Sequence, residues 1–461
     1  PTGGALHSFG YDALDQNTSY MTPISGTYAF IFDKDKRFTA INFPSGRSIN
    51  NIYSQGRLTQ TTTSEGVIDY TYLCASKLSS LTMGAERIDY LYDGLLKTAE
   101  TWSGSLASSI SMSWNNDFRI SSLTYAGATT YYSYDDDGFL TGSGDYTITR
   151  NAGNGLPETV TDGTLSISRT FNGFAEAQTC NMQVAGDDKT SFTLERDLSG
   201  RISQKTETVD GNTITYDYTY DAMGRLLTVS SAGTTIEEYA YDIAGRRTHE
   251  KNIRRDITSK TYSYDTEGHL LAAGDATYFY DVDGFRTIKI DGSGTTTYSY
   301  SSRGELLPVT LPDGRIVTYK HDPLGRRIAK LVDGVVMEKY LWKGRTRLLS
   351  ILDALGTAKY RFEYADDRMP VAMTAEGVRY YLAYDQVGSL RAVVSAETDE
   401  IVKKVVYDSF GNVVSDTNTA FTQLGFAGGL YDKDTGLVRF GARDYDPGTR
   451  SGDHPFGRLN P

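Results

Sequence analysis

Two cysteines, five histidines, three tryptophans and eleven prolines are all that the 461 residues hold of those types. Two thiols cannot build a zinc framework, and His7, His249, His269, His321 and His454 lack ligand spacing, so they read as surface or turn residues and no metal or cofactor is expected. Cys74 and Cys180 lie 106 residues apart with nothing in the sequence to bring them together, which leaves their bonding open. No apolar run approaches the ~20 residues of a membrane span, and no basic-then-apolar leader opens the chain. Any export signal or delivery apparatus is therefore expected outside this chain. Helical periodicity is nearly absent too: the best candidate, residues 432–439, does not hold its period for three turns and contains Gly436. With 46 Lys and Arg against 58 Asp and Glu, the formal charge is -12, and the basic residues are scattered, which argues against a nucleic-acid partner.

What the chain has in abundance is tyrosine, 34 residues, and glycine, 46 residues. They recur together. Tyr220-Asp221-Ala222-Met223-Gly224-Arg225 returns as Tyr241-Asp242-Ile243-Ala244-Gly245-Arg246, then from Tyr264, Tyr280, Tyr300 and His321, with steps of 21, 23, 16, 20 and 21 residues. Aromatics alternate before each Tyr-Asp, as at Tyr216, Tyr218 and Tyr220, and a period of two puts them on one face of a strand. The Asp accepts from amides two residues on, and the Gly tolerates positive φ, so the chain reverses there. A branched strand, a second turn such as Ala232-Gly233, and the next aromatic strand follow. Each period is one β-hairpin, and about twenty such units fit the length. A lone hairpin cannot bury its apolar face, so successive hairpins must pair edge to edge into a strip of sheet.

The Tyr-Asp-x-x-Gly-Arg consensus at this spacing resembles the YD repeat of the Rhs and teneurin-like families. Towards the C-terminus, Tyr384 to Arg391, Tyr407 to Asn412, Gly425 to Asp432 and Thr435 to Pro447 resemble the Rhs-associated core in order. The resemblance implies an all-β fold in which YD-repeat hairpins wind into a spiralling sheet, forming a hollow or partly open shell. It divides the chain into a repeat sheet over residues 1–330, an Rhs-associated core region over 331–447, and a tail over 448–461 that fits neither repeat nor strand and reads as mobile. Residues 1–53 and the units that keep the turn but lose the Tyr are degenerate, as expected near an end whose sheet edge needs hiding.

In Rhs proteins and the C subunits of insecticidal toxin complexes, the core acts as an intramolecular aspartyl protease that frees a downstream toxic segment. The chemistry needs two carboxylates sharing a proton. The resemblance carries over Arg443 as the neighbouring cation and Asp444 as the first carboxylate. The family's second carboxylate lies about twelve residues further, in an Asp-Pro motif. Here Asp453 follows Asp444 by nine residues, precedes His454 instead of Pro, and lacks the Gly-Arg-aromatic run before it. Asp453 is thus a displaced second carboxylate, or Arg443 and Asp444 form a purely structural pair. Asp135-Asp136-Asp137-Gly138 faintly resembles a calcium loop, but Tyr146 stands where a Glu would complete it, so it reads as a solvated turn.

The expected function is a secreted or cell-surface polymorphic-toxin shell of bacterial Rhs type, enclosing or presenting a C-terminal toxic polypeptide encoded beyond this chain. Its expected partners are that cargo and a delivery machinery or second shell subunit. The alternative is an adhesion module whose exposed tyrosines contact surface glycans or proteins.

Overall fold

The computed structural model describes residues 5–449 other than 75 and 367, together with the backbone of Ser451–Gly452. Forty strands form one antiparallel sheet. Each strand pairs with its neighbours in sequence, from Ser8–Tyr11 with Asn17–Met21 through to Ile401–Tyr407 with Val413–Asp416, which makes twenty hairpins. No pairing joins the first strand to the last, so the sheet is an open strip and not a barrel. It passes through residue 331 without a break, by way of Arg327–Val332 and Val335–Lys343.

The two ends of the strip are built differently. At one end the Tyr-Asp turn closes with Asp221 N–H on the Arg225 carbonyl (2.9 Å), and Gly224 sits at φ 80°. The Asp221 carboxylate accepts from the amides of Met223 (2.9 Å) and Arg225 (2.8 Å) and from Arg225 Nε (2.5 Å). That guanidinium lies 4.9 Å from the ring centre of Tyr241 in the next hairpin and donates to the Asp242 carbonyl at 2.7 Å. Tyr241 answers by donating its hydroxyl to the Leu226 carbonyl at 2.9 Å. Arg201 with Tyr220, and Arg246 with Tyr264, repeat the arrangement. The other end uses two-residue turns such as Ala232-Gly233, both at positive φ, whose twist matches the strands they join.

The strip coils so that its second half lies against its first. Tyr28 reaches Asp283, Trp102 reaches Asp322, Tyr125 reaches Phe362, Glu207 pairs with Arg391, and Asn252 reaches Asp408. Both members of each pair advance together, so the two passes run side by side in one direction. Their separation shrinks from 255 residues at Tyr28 to 156 at Asn252, as a tightening spiral requires. The Tyr-Asp ends of the second pass seat on the opposite ends of the first, on five-residue turns such as 43–47 as well as on two-residue ones such as Ser64-Glu65. The largest apolar cluster draws on both passes, Ile68 to Tyr125 from the first and Ile328 to Val393 from the second, and a second cluster joins Tyr146 to Val184 with Ala365 to Val394.

After the sheet ends, residues 417–449 return over the second pass and build a small sheet from Leu430–Tyr431, Val438–Phe440, Arg443–Asp446 and Ser451–Gly452. The helix candidate at 432–439 is a turn followed by strand, because Gly436 adopts φ 71° and reverses the chain. Only two single-turn 3₁₀ segments occur among the described residues, Ile253–Arg255 and Phe426–Gly428. Cys74 is exposed and Cys180 half-buried, and no disulfide joins them. The part of the expected tail that is described is engaged: Gly448 is held by Lys260 and Arg247, and Ser451–Gly452 pairs with Tyr445 and Asp446.

Asp283 tests the seam. Its carboxylate accepts from the Ser45 amide (2.9 Å), the Ser45 hydroxyl (2.6 Å) and Arg47 Nε (2.8 Å) across the passes. Asp283→Ala strands the Ser45 amide, leaves Arg47 only Asp281 at 3.4 Å and the Tyr300 carbonyl at 3.2 Å, and is expected to cost about 3 kcal/mol, with faster hydrogen exchange in residues 43–47. Asp35→Ala, on an exposed turn, should cost about 1 kcal/mol or less. Equal denaturation midpoints for the two variants would refute the seam's role.

Candidate functional site

The returning segment is held to the sheet by charge. Arginines five residues beyond a turn Asp, namely Arg247, Arg286 and Arg327, follow one position after the residue that braces the turn, so strand alternation points them at the sheet's buried face. There Arg327 Nη2 donates to both oxygens of Asp444 at 3.0 Å while stacking on Tyr319, with 3.5 Å from guanidinium to ring centre. Arg439 Nη1 donates to Asp444 at 2.7 Å. Arg286 pairs with Asp446 at 2.9 Å. Lys330 bridges Asp432 (2.7 Å) and Asp434 (2.6 Å), and the Tyr319 hydroxyl donates to Asp432 at 2.6 Å. Tyr445 donates to the Phe410 carbonyl at 2.8 Å.

Asp444, expected as the first carboxylate, is therefore buried at the centre of this cluster. The cation expected beside it is not there. Arg443 is exposed on the other side of the same strand, because adjacent strand residues face opposite ways, and Arg327 and Arg439 take its place. Asp453, like His454, lies outside the described residues. Sequence reading missed Arg327, Arg286 and Arg439. The spacing of Arg286 and Arg327 from their turn Asp was a visible signal, whereas nothing local marked Arg439.

Burial by itself raises a carboxyl pKa, but Arg327 and Arg439 outweigh it and hold Asp444 below its ordinary value, and Arg286 and Lys289 do the same for Asp446. Asp444 is thus an ionised acceptor. Around it, buried donors are left over: Arg439 Nε and Nη2 and Arg327 Nε have no hydrogen-bond partner among the described residues. Beside them, burial and the nearby guanidinium groups push His321 well below its ordinary value, so its ring is neutral. Two guanidinium groups meet one carboxylate here, an arrangement that can accept one more anionic group. Among the described residues, no cluster of His, Cys, Asp and Glu has metal-binding geometry.

Between the passes lie two openings. One of about 420 Å³ is lined by Tyr216, Tyr218, Tyr220, Arg254, Asp385 and Tyr407. The other, about 500 Å³, is lined by Ile167, Phe192, Met369 and Leu382 among others.

Residues 2–452 match the family model described as Teneurin YD-shell. Among curated relatives, Teneurin-4 of Mus musculus is 24% identical over 489 residues, covering 91% of this chain and 17% of that protein. The tRNA3(Ser)-specific nuclease WapA of Bacillus spizizenii is 28% identical over 235 residues, covering 50% of this chain and 10% of that protein. The chain thus spans under a fifth of the length of these relatives. Among solved structures, the Photorhabdus luminescens Tc holotoxin pore superposes with a TM-score of 0.79 at 13% identity, over 98% of this chain and 27% of that one. At that identity the likeness shows the fold.

The depressed carboxyls fix the sign of a pH effect. Asp444 and Asp446 are ionised in the fold at pH values where the unfolded chain begins to take up protons, so their stabilisation is complete above the ordinary Asp pKa and lost as pH falls through their lower folded values. Glu237 and Asp408, raised by burial, act in the opposite direction, losing their contribution as pH rises. Hydrogen exchange, corrected for intrinsic rate, should show residues 438–446 loosening below about pH 4 before the main sheet, and Asp444→Asn should loosen them already at neutral pH. Simultaneous loosening of sheet and segment in both proteins would overturn this account.

Proposed function

The chain belongs to the teneurin YD-shell family, and from that premise we propose that it forms the wall of an Rhs-type YD-repeat shell that encloses or presents a toxic polypeptide in a secreted or cell-surface protein. The observation that carries this reading is the return of residues 417–449 onto the buried face of the sheet. A chain leaving the last strand is drawn inward by Lys330, Arg327 and Arg286 and is not released to solvent. The mechanism is steric: the wall keeps a bound polypeptide away from the surroundings, and a delivery apparatus or second shell subunit completes the enclosure. The naming of one relative as a nuclease and the likeness to a holotoxin wall support a toxin cargo.

Self-cleavage belongs to the same proposal in a modified form. Asp444, ionised between Arg327 and Arg439, is the water-activating carboxylate, and Asp453 is the second. Arg443 has no part in it. A second reading, surface adhesion, is favoured by one feature: the Tyr-Asp turns of the first pass expose apolar tips at Phe174, Leu198, Met223 and Ile243, a row of the kind that marks contact surfaces.

Electron microscopy and small-angle scattering of the intact chain should reveal an internal void with the segment after residue 417 on its wall. A filled or flat particle would sink the shell and leave the apolar rim as the functional surface. For self-cleavage, a break beyond residue 449 that Asp444→Asn abolishes is the expected result.

A further inference from the structure

The turn carboxylates are filled in a regular way, and one recessed turn departs from it. Oδ2 of Asp33, Asp197, Asp221, Asp242 and Asp322 accepts from the Nε of an arginine four residues on, at 2.5–2.7 Å. At Asp281 the fourth residue is Phe285, which stacks on Tyr300 with 5.1 Å between ring centres and has no charge to give. The cation comes from elsewhere. Arg47, 234 residues away, reaches Asp281 Oδ2 at 3.4 Å, donates to the Tyr300 carbonyl at 3.2 Å and lies 5.3 Å from the Phe285 ring centre, although Asp283 is its nearer partner at 2.5 Å. A turn without its own guanidinium thus takes one from another part of the fold.

Asp385 lacks its arginine in the same way. Its fourth residue is Ser389, whose hydroxyl accepts from the Ala427 amide at 3.0 Å. Asp385 Oδ1 accepts from the amides of Val387 (3.1 Å) and Ser389 (2.8 Å), whereas Oδ2 has no hydrogen-bond donor among the described residues. The tyrosine of the next hairpin, Tyr407, has Phe426 against it at 6.0 Å between ring centres, as Tyr300 has Phe285, and no cation over its ring among the described residues. Asp385, Tyr407 and Phe426 all line the opening of about 420 Å³ between the passes. Asp12, Asp135 and Asp353 also bond through Oδ1 alone, but they do not line it. The opening's own cations are engaged with other acids: Lys205 and Arg391 with Glu207, Arg254 with Glu237, and Arg225 with Asp221. Burial raises the Asp385 carboxyl above its ordinary value, whereas the hydrogen bond from Arg201 lowers that of Asp197. We propose that this opening receives an arginine side chain of a bound polypeptide, its guanidinium donating to Asp385 Oδ2 and lying against the rings of Tyr407 and Phe426, as Arg47 does at Asp281 and Phe285. Arginine suits the place better than lysine, because a planar fork donates to a carboxylate and stacks at once. Tyr216 and Tyr218 extend the aromatic wall along which its methylene stem lies.

Only the source of the arginine, a polypeptide held within the wall, rests on the shell reading. The test is calorimetry and saturation-transfer NMR on the full chain with a soluble probe, a capped peptide of one arginine between glycines, and the same peptide with uncharged citrulline in its place. The arginine peptide should bind roughly tenfold more tightly than the citrulline one, with the strongest transfer at its δ protons. Asp385→Asn keeps the Oδ1 acceptor that the turn needs, so it should abolish the difference while leaving the melting profile unchanged. Tyr407→Phe should bind the arginine peptide as the unsubstituted chain does, and Tyr407→Leu about threefold more weakly. Equal binding of the two peptides, or an arginine preference that survives in Asp385→Asn, would overturn the proposal. A hollow particle indifferent to arginine refutes this site alone, and a filled particle that prefers arginine refutes the shell alone.

Discussion

The structure depends on a bond between neighbouring hairpins that no single hairpin contains. The turn Asp orients its own arginine, the arginine lies on the next tyrosine, and that tyrosine hydroxyl returns to the carbonyl just after the arginine, as Asp221, Arg225, Tyr241 and Leu226 show. A surface cation–π contact contributes about 0.5–1 kcal/mol and a hydrogen bond about 1 kcal/mol. Each link is therefore weak alone. Its value lies in direction: it fixes the spacing and twist of one hairpin against the next, so a small repeated offset accumulates into a coil. Ladder hydrogen bonds pair strands equally well in a flat strip. The side-chain staple at one end, set against two-residue turns at the other, makes the two edges unequal, and unequal edges bend a sheet.

The same turn serves a second purpose where the passes meet. Asp322 Oδ2 receives Arg326 Nε at 2.7 Å within its turn and Trp102 Nε1 at 3.2 Å from the first pass, while Arg326 also pairs with Glu100 at 2.8 Å. An exposed Tyr-Asp turn thus becomes a buried seam by gaining partners rather than by changing conformation. The cost is desolvation, and burying these charges is tolerable only because each is matched. Asp283 with Arg47, and Glu207 with Arg391, meet the same condition.

This division explains what could be read from the sequence. Twenty hairpins, the open all-β sheet and the two turn types follow from chemistry within six residues, and Asp221 to Arg225 behave as that chemistry dictates. The seam is invisible to such reading, because its contacts join residues more than 150 apart and nothing in Glu100 or Trp102 names Asp322. At Asp444 the failure was geometrical. Arg443 is adjacent in sequence but lies across the strand, whereas Arg327 is 117 residues away and in contact. Family resemblance singled out Asp444, and the alternation of the strand decided which cation could reach it.

That alternation also sets the path of the returning segment. As its residues rise through Asp432, Asp444, Asp446 and Gly448, their partners fall through Lys330, Arg327, Arg286 and Lys260. The segment therefore crosses the wall against the order in which the wall was laid down, meeting inward cations on the strands Arg327–Val332, Arg286–Asp291 and Ile257–Tyr264 in turn. Apolar packing would permit it to slide. Ion pairs do not, because a shift by one residue would bring a side chain of the wrong charge, or none, to each buried arginine. Gly448 is where this ladder changes character: the ligand offered to Arg247 and Lys260 is no longer a carboxylate but the backbone itself.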